Sequence, residues 1–141
     1  MHTISLTHST ATGHRIPGHE GGSGKCARLH GHTYTFKVTC GSEVLGGNGF
    51  VIDFSVIKKM LDEWDHRLVL WDQDPVAFDD TYWPLYEEVL GVIRVPFVPT
   101  AENMADHLSA RLLADNENLM FVEVEVHESA SSFATATARL R

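Results

Sequence analysis

The fold of this chain is decided by the stretch CARLHGHTYTFKVT, which spans residues 26–39. Its second half alternates apolar residues, such as Tyr34 and Phe36, with polar ones, and this period-two pattern predicts a half-buried β-strand. His30 and His32 share the parity of these apolar residues, so both imidazoles leave the backbone on one face. Two imidazoles at positions i and i+2 of a strand can bind one metal ion, and neutral imidazole suits zinc.

Other reactive side chains lie close to this histidine pair in sequence. Cys26 precedes His30 by only four residues, near enough to enter the same pocket. His14 is a candidate third ligand if its strand pairs with that of His30, but His8 and His19 compete for this role on sequence alone. Without further ligands, the alternative is a structural role in which hydrogen bonds satisfy the strand histidines.

Composition restricts the classes of function. The 141 residues predict a single domain over 1–141. The net charge of −8 argues against a nucleic-acid or anionic-membrane binder. An anionic substrate would therefore have to meet a local basic cluster, for which Lys25, Arg28 and Arg15 are the candidates.

The compartment is expected to be the cytoplasm. The chain shows no apolar run long enough to cross a bilayer and no basic and apolar leader pattern at its N-terminus. Its two cysteines, Cys26 and Cys40, do not form a disulfide framework, so a reducing compartment is the simpler expectation.

The remaining patterns predict an α+β fold, an antiparallel four-stranded sheet with two helices on one face. One helix begins after Asp53, with an apolar stripe that extends to Leu68, and the other begins after Thr100. The tail 129–141 is small and polar, and we allow for partial disorder there. Strands are expected at 3–11, 30–41, 92–95 and 120–128.

Five motifs follow one another along nearly the whole chain. They are Cys26-x-x-x-His30-Gly31-His32 with His14-Arg15-Ile16-Pro17 before it, Val51-Ile52-Asp53-Phe54, Asp65-His66, Pro99-Thr100-Ala101-Glu102-Asn103 and Val126-His127-Glu128. In this order they resemble the 6-carboxytetrahydropterin synthase and 6-pyruvoyltetrahydropterin synthase family. The resemblance implies the tunnelling fold, in which the sheets of three subunits close a barrel and two trimers stack as a hexamer. It also implies active sites at subunit interfaces.

The resemblance implies a metal site and a base. His14, His30 and His32 match the family's zinc ligands, which leave one coordination position open for a substrate oxygen. Cys26 matches the general base, and the pair Asp65-His66 matches the residues that activate it. From position alone, Asp65-His66 could equally have a structural role near the end of a helix.

It also implies a substrate pocket. Glu128 matches the catalytic carboxylate that anchors the aminopyrimidine edge of the pterin. Thr100 and Glu102 match positions near that pocket. Lys25 and Arg28 are then the candidates for holding the triphosphate of the substrate.

The function implied is that of a zinc-dependent lyase. It would convert 7,8-dihydroneopterin triphosphate to 6-carboxytetrahydropterin, acetaldehyde and triphosphate, a step toward 7-deazaguanine compounds such as queuosine. The first alternative is triphosphate elimination without side-chain cleavage, which gives 6-pyruvoyltetrahydropterin. The second is a zinc-stabilised pterin-binding module without turnover, in which Cys26 would be the fourth ligand of a closed site.

Overall fold

The computed structural model describes residues 1–19, 24–74 and 83–141. Within these ranges the chain forms one six-stranded sheet and three α-helices. In chain order they are β1 (His2–His14), β2 (His30–Ser42), α1 (Phe54–Asp62), β3 (Arg67–Trp71), α2 (Trp83–Glu88), β4 (Val92–Val95), α3 (Ala101–Ala114), β5 (Phe121–Ser129) and β6 (Ser132–Arg139). None of the helices within the described ranges is long and apolar enough to span a membrane.

A long antiparallel hairpin forms the centre of the sheet. β1 and β2 pair along their whole length, from His2 opposite Ser42 to His14 opposite His30. β5 and β6 form a second antiparallel hairpin beside β2, whereas β3 and β4 run parallel beside β1, which gives the order β4-β3-β1-β2-β5-β6. The α+β class is therefore confirmed, but the prediction of four antiparallel strands is wrong, because the sheet has six strands and is mixed.

One of the unpredicted strands follows the first helix directly. Leu68 was assigned to the apolar stripe of that helix, but α1 ends at Asp62 and Leu68 lies in β3. The sequence between them contains neither glycine nor proline, so its apolar spacing could not be distinguished from a continued helix.

The other unpredicted strand lies in the tail 129–141. Residues 132–139 form β6, which pairs along β5, so the partial disorder allowed for 129–141 is wrong for this strand. Its residues alternate alanine with threonine, and alanine carries too weak a hydrophobic signal for the alternation to be recognised as a strand.

The two faces of the sheet differ in polarity. The even-numbered apolar residues of β2 and β5, such as Tyr34, Phe36 and Val124, are fully buried under α1 and α3. The odd-numbered face is polar, and hydroxyl pairs such as Ser5 and Thr39, 2.8 Å apart, cross its strands. The even-numbered histidines at the end of the hairpin therefore lie on this same face. We call it the covered face, because α1 and α3 pack against it.

The predicted caps set the starts of both long helices. The Asp53 carboxylate accepts a hydrogen bond from the Ser55 N–H at 2.8 Å, and the Thr100 hydroxyl accepts one from the Asn103 N–H at 3.2 Å. Such caps satisfy backbone donors that a helix leaves free at its first turn. The Thr100 cap matters for the site, because it fixes the segment around Pro99 beside the end of β1.

Candidate active site

Three histidines meet where the covered face of the central hairpin ends. The strand register places His14 directly opposite His30, and His32 follows on the same face. The ring nitrogens that the three offer lie within 4.8 Å of one another, and the Nε2 atoms of His14 and His30 are 3.0 Å apart. The structure thus brings together the three predicted ligands, while the competing candidates His8 and His19 lie outside the cluster.

Backbone carbonyls orient two of these rings. Nδ1–H of His14 donates to the Pro99 carbonyl at 2.7 Å, and Nδ1–H of His30 donates to the Arg28 carbonyl at 2.6 Å. Each ring then presents an unprotonated Nε2, and two lone pairs 3.0 Å apart repel each other unless a cation lies between them.

The electrostatics of His14 suit the same role. Its side chain is 1% exposed, and burial lowers its pKa to about 4, although the hydrogen bond to Pro99 acts in the opposite direction. The ring is therefore neutral near pH 7, as a metal ligand must be. The three imidazoles, two of which have an outer nitrogen held by a carbonyl, form a donor set that could bind a metal ion.

A cavity of about 340 Å³ opens beside the histidine cluster. The Glu128 carboxylate reaches it from β5, with Oε1 4.0 Å from Nε2 of His14. Glu128 has the parity of the buried valines of that strand, although the ladder to β6 is irregular between His127 and Ser129. The predicted site residues that line this cavity are His14, Cys26, His30, His32, Thr100, Glu102 and Glu128.

Cys26 lies at the cavity wall rather than in the ligand set. Its thiol is exposed, and the loop that carries it is tied to β1 by a hydrogen bond from the Ile16 N–H to the Cys26 carbonyl at 2.7 Å. Among the described residues, the mutually close ligand atoms come from the three histidines alone. The geometry therefore favours a site with an open position over a closed site with Cys26 as fourth ligand.

The predicted activating pair, Asp65 and His66, is formed but does not reach Cys26 within one chain. The Asp65 carboxylate accepts hydrogen bonds from the Ala11 N–H and from His66 Nδ1, each at 2.9 Å, and the bond from Ala11 holds the pKa of Asp65 below its usual range. The His66 N–H donates to the Ala11 carbonyl at 2.6 Å. Neither member of the pair lines the cavity that contains Cys26.

The backbone at this pair is strained. His66 has a φ of +57°, in the left-handed region that residues other than glycine seldom adopt. Its side chain is 83% exposed. The fold thus holds His66 in an unfavourable backbone conformation, with its imidazole largely exposed at a depression that His30 and His32 also line.

The predicted basic residues do not converge on the cavity. Arg15 Nε lies 2.8 Å from the buried Asp74 carboxylate, and Arg15 and Arg28 line a different depression, on the other side of the Cys26 loop. Lys25 is exposed and is not among the residues that line the cavity. Within the described part of a single chain, these residues form no basic cluster beside the histidines.

Sequence analysis missed Tyr34, which counted only as an apolar strand residue. Its hydroxyl lies 3.2 Å from each ring nitrogen of His14, and the Glu128 carboxylate is a charged neighbour. Burial and this neighbouring carboxylate raise the pKa of Tyr34 above its ordinary value. The available signal was its parity, since Tyr34 follows His32 by two residues on the same face of β2.

The chain belongs to the 6-pyruvoyl tetrahydropterin synthase family, whose model matches residues 3–139. Similar proteins include the 6-carboxy-5,6,7,8-tetrahydropterin synthase of Rickettsia typhi, 33% identical over 131 residues that cover 86% of this chain and 89% of the relative. The protein of that name from Bacillus subtilis is 33% identical over 112 residues, or 79% and 69% of the two chains.

Solved structures show the same fold. An uncharacterized protein from Wolinella succinogenes superposes with a TM-score of 0.71 at 22% identity, covering 96% of this chain and 97% of the other. The 6-pyruvoyl tetrahydropterin synthase of Plasmodium vivax superposes with a TM-score of 0.63 at 19% identity, covering 99% and 100%.

Proposed function

We propose that this protein is a zinc-dependent 6-carboxy-5,6,7,8-tetrahydropterin synthase. It would convert 7,8-dihydroneopterin triphosphate to 6-carboxytetrahydropterin, acetaldehyde and triphosphate, a step in the biosynthesis of 7-deazaguanine compounds such as queuosine. The observation that carries the proposal is the convergence of a three-histidine cluster, the Cys26 thiol and the Glu128 carboxylate on one cavity. The names of the relatives at 33% identity support the choice of reaction.

Zinc suits the ligand set. His14, His30 and His32 would hold it through nitrogens, two of them from rings oriented by the Pro99 and Arg28 carbonyls. When bound, zinc supplies a Lewis acid that polarises oxygens of the substrate side chain.

The carboxylate and the thiol have separate tasks. Glu128 accepts the ring N–H and the amino group of the pterin as two parallel hydrogen bonds, which fixes the ring and directs its side chain toward the histidines. Cys26, at the wall of the same cavity, removes a proton from a carbon of that side chain. Thr100 and Glu102 line the cavity and contribute a hydroxyl and a carboxylate to the polar surroundings of the substrate.

A second subunit completes the site in this proposal. Because Asp65 and His66 lie outside the Cys26 cavity of their own chain, they would activate the Cys26 of a neighbouring copy. The strands β4 and β6 end the sheet and leave backbone groups that a second copy can pair. A trimer closed in this way, stacked as a hexamer, would carry shared sites, with Lys25 and Arg28 near the entrance for the triphosphate.

Two alternatives use the same cavity. A 6-pyruvoyltetrahydropterin synthase would eliminate triphosphate and keep the side chain intact, and the description of the matching family supports this candidate. A binding module without turnover is less favoured, because Cys26 lies outside the set of close ligand atoms. For either enzyme the cytoplasm is the proposed compartment, since Cys26 and Cys40 are both free thiols.

The decisive experiment is product identification. The zinc-loaded protein is incubated with 7,8-dihydroneopterin triphosphate, and the products are separated and identified by mass spectrometry. We expect 6-carboxytetrahydropterin and acetaldehyde in equal amounts, and far less of both from the Cys26→Ala variant in the same time. Formation of 6-pyruvoyltetrahydropterin would establish the first alternative, and bound but unchanged pterin would establish the second.

A further inference from the structure

The turn that carries Asp65 and His66 is held against β1 by three hydrogen bonds. The Ala11 N–H donates to the Asp65 carboxylate at 2.9 Å, and the His66 N–H donates to the Ala11 carbonyl at 2.6 Å. The third bond runs from the Thr12 hydroxyl to the Trp64 carbonyl at 2.9 Å. Two of these three bonds use the backbone of β1, so the Thr12 hydroxyl is the one that a substitution on β1 can remove.

Thr12 is buried, and its hydroxyl has a defined direction. The residue is 3% exposed, and its hydroxyl lies 2.8 Å from the hydroxyl of Thr10, which is 2% exposed. A hydroxyl has one proton to donate, and Thr12 donates its proton to the Trp64 carbonyl. The Thr10 hydroxyl is therefore the donor in the bond between the two threonines, and this bond directs the proton of Thr12 at the turn.

The conformation that needs this support is the left-handed backbone of His66. A φ of +57° is unfavourable for a residue other than glycine and persists only where the surrounding structure fixes it. Residues 63–66 alone connect the end of α1 to the start of β3. Thr12 pairs with Arg67, the first residue of β3, so its hydroxyl acts where the parallel pairing of the two strands begins.

We propose that Thr12 is a positioning residue for the Asp65-His66 pair. Its hydroxyl fixes the turn on β1 and keeps the pair in the conformation from which it activates the Cys26 thiol of a neighbouring copy. This inference rests on the proposed function, because it takes Asp65 and His66 as the activating pair. The contact itself is a property of one chain and can be tested without turnover.

Hydrogen exchange tests the support of the turn without any substrate. We expect the His66 amide of the zinc-loaded protein to exchange slowly, because it donates a hydrogen bond of 2.6 Å. Thr12→Val keeps the branched shape but removes the hydroxyl. Exchange in peptides that cover residues 64–67, measured by mass spectrometry, should therefore become about tenfold faster. Thr12→Ser keeps the hydroxyl and should exchange as slowly as the wild type.

Turnover tests whether this support matters for the reaction. With 7,8-dihydroneopterin triphosphate, Thr12→Val should lower kcat by about ten- to a hundredfold and leave KM and zinc content unchanged, whereas Thr12→Ser should restore kcat. In a His66→Ala background, Thr12→Val should cause no further loss. Ser42→Ala is the matched control, because it removes a buried hydroxyl that donates to the Asn118 carbonyl at 2.7 Å, at the other end of the same hairpin. It should change neither kcat nor exchange at the turn.

Mixed oligomers separate this role from damage to the metal site, because Thr12 shares a face of β1 with His14. When Thr12→Val is co-expressed with Cys26→Ala, about a quarter of the wild-type activity should return. The intact Cys26 of the Thr12→Val chain is then served by a well-positioned His66 from the other chain. A defect at His14 would instead lie in the same cavity as that intact Cys26, and no activity would return.

The outcomes distinguish this inference from the proposed function. The role of Thr12 is disproved if Thr12→Val exchanges at the turn like the wild type, if it loses its zinc, or if it fails to complement Cys26→Ala where His66→Ala does. If neither mixture recovers activity, the shared site is disproved, and the His66→Ala background decides the role of Thr12. If the wild type has no turnover, the proposed function is disproved, and hydrogen exchange alone decides whether Thr12 holds the turn. Thr12→Ala takes the place of Thr12→Val if the latter does not fold.

Discussion

His14 and His66 are two histidines whose rings differ in burial and in the partner of Nδ1. The Nδ1 of His14 faces a neutral carbonyl at 2.7 Å, and its ring is 1% exposed. The Nδ1 of His66 faces the Asp65 carboxylate at 2.9 Å, and its side chain is 83% exposed. A buried ring beside a carbonyl stays neutral and suits a metal ligand, whereas a carboxylate stabilises the imidazolium that forms during proton transfer.

One chain brings together only some of the predicted site residues. The histidine cluster and its cavity are assembled from β1, β2, β5 and the start of α3. The Asp65-His66 turn is equally well fixed, by hydrogen bonds to both backbone groups of Ala11, but neither of its two residues lines the Cys26 cavity. His66 lines a neighbouring depression, to which His30 and His32 also contribute. In the proposed function, a neighbouring copy brings the two parts together.

Replacing one of the histidine ligands is expected to have the largest effect, which is loss of the bound metal ion. We expect His30→Ala to lose its zinc during gel filtration, because two imidazoles hold a divalent ion poorly. His19→Ala is the control, since His19 lines the same cavity but lies outside the ligand cluster. It should keep one zinc per chain by elemental analysis. Stoichiometric zinc in His30→Ala would show that the cluster is not the metal site.

Replacing Cys26, the proposed base, is expected to have the next largest effect. The same variant also tests whether two chains share one site. Cys26→Ala should keep zinc but lose about two to four powers of ten in turnover, the usual contribution of a general base. His66→Ala should be similarly impaired. When the two variants are co-expressed as mixed oligomers, about a quarter of the wild-type activity should return, because random mixing in a symmetric oligomer leaves one site in four intact.

The control for this mixing is co-expression of two differently tagged Cys26→Ala chains, which cannot restore any site. Failure of the Cys26→Ala and His66→Ala mixture to recover activity, with mixed oligomers shown by double affinity purification, would contradict the shared site. Recovery would require that Cys26 and His66 act from different chains.

Replacing Glu128, the proposed pterin anchor, is expected to have a smaller effect. It should lower the affinity for the pterin and leave the zinc content unchanged. Glu128→Gln replaces one acceptor with a donor that faces a pterin N–H, so affinity for a fluorescent pterin should fall by about ten- to a thousandfold. Glu123→Gln is the matched control, because Glu123 lies on β5 with the opposite parity and accepts a hydrogen bond from Thr137 on the other face. Equal affinity in wild type and Glu128→Gln would remove the pterin from this strand.

Local patterns predicted two residues of the histidine cluster, His30 and His32, whereas His14 was distinguished from His8 and His19 only by the family resemblance. His30 and His32 share a face by parity, and His14 joins them because hairpin pairing puts it opposite His30. Tyr34 obeys the same parity but was taken as core, since a phenol that fills a strand position gives no sign of what its hydroxyl touches. Its contact with His14 depends on the pairing of β1 with β2, which brings the two side chains together on one face.

The contacts that sequence periodicity could not predict join distant segments. The position of His66 depends on hydrogen bonds to Ala11, a residue in another strand, and its positive φ has no local sequence signal such as glycine. Arg15 likewise looked available for an anionic substrate, yet it pairs with the buried Asp74. Such pairings become visible only when the sheet order is known.

The smallest effect concerns the stability of the metal-free protein, and it follows from the burial of His14. In the unfolded chain this histidine titrates near 6.5, whereas in the folded protein burial lowers its pKa to about 4. Between these values the unfolded state binds a proton that the folded state does not, so the free energy of unfolding falls as the pH is lowered from about 6.5 to 4. A shift of this size corresponds to about 3 kcal/mol over the whole window.

Urea denaturation of the chelator-treated protein between pH 7 and pH 4.5 measures this dependence, and His14→Gln should remove most of it. The comparison with His14→Gln is needed because burial also lowers the pKa of His107, which acts in the same direction. The depressed carboxyl groups of Glu63 and Asp65 act only below their ordinary values of 4.5 and 3.8, so they contribute little in this range. If His14→Gln keeps the full dependence of the free energy of unfolding on pH, another group takes up the proton. His14 would then not be neutral and buried in the way that distinguishes it from His66.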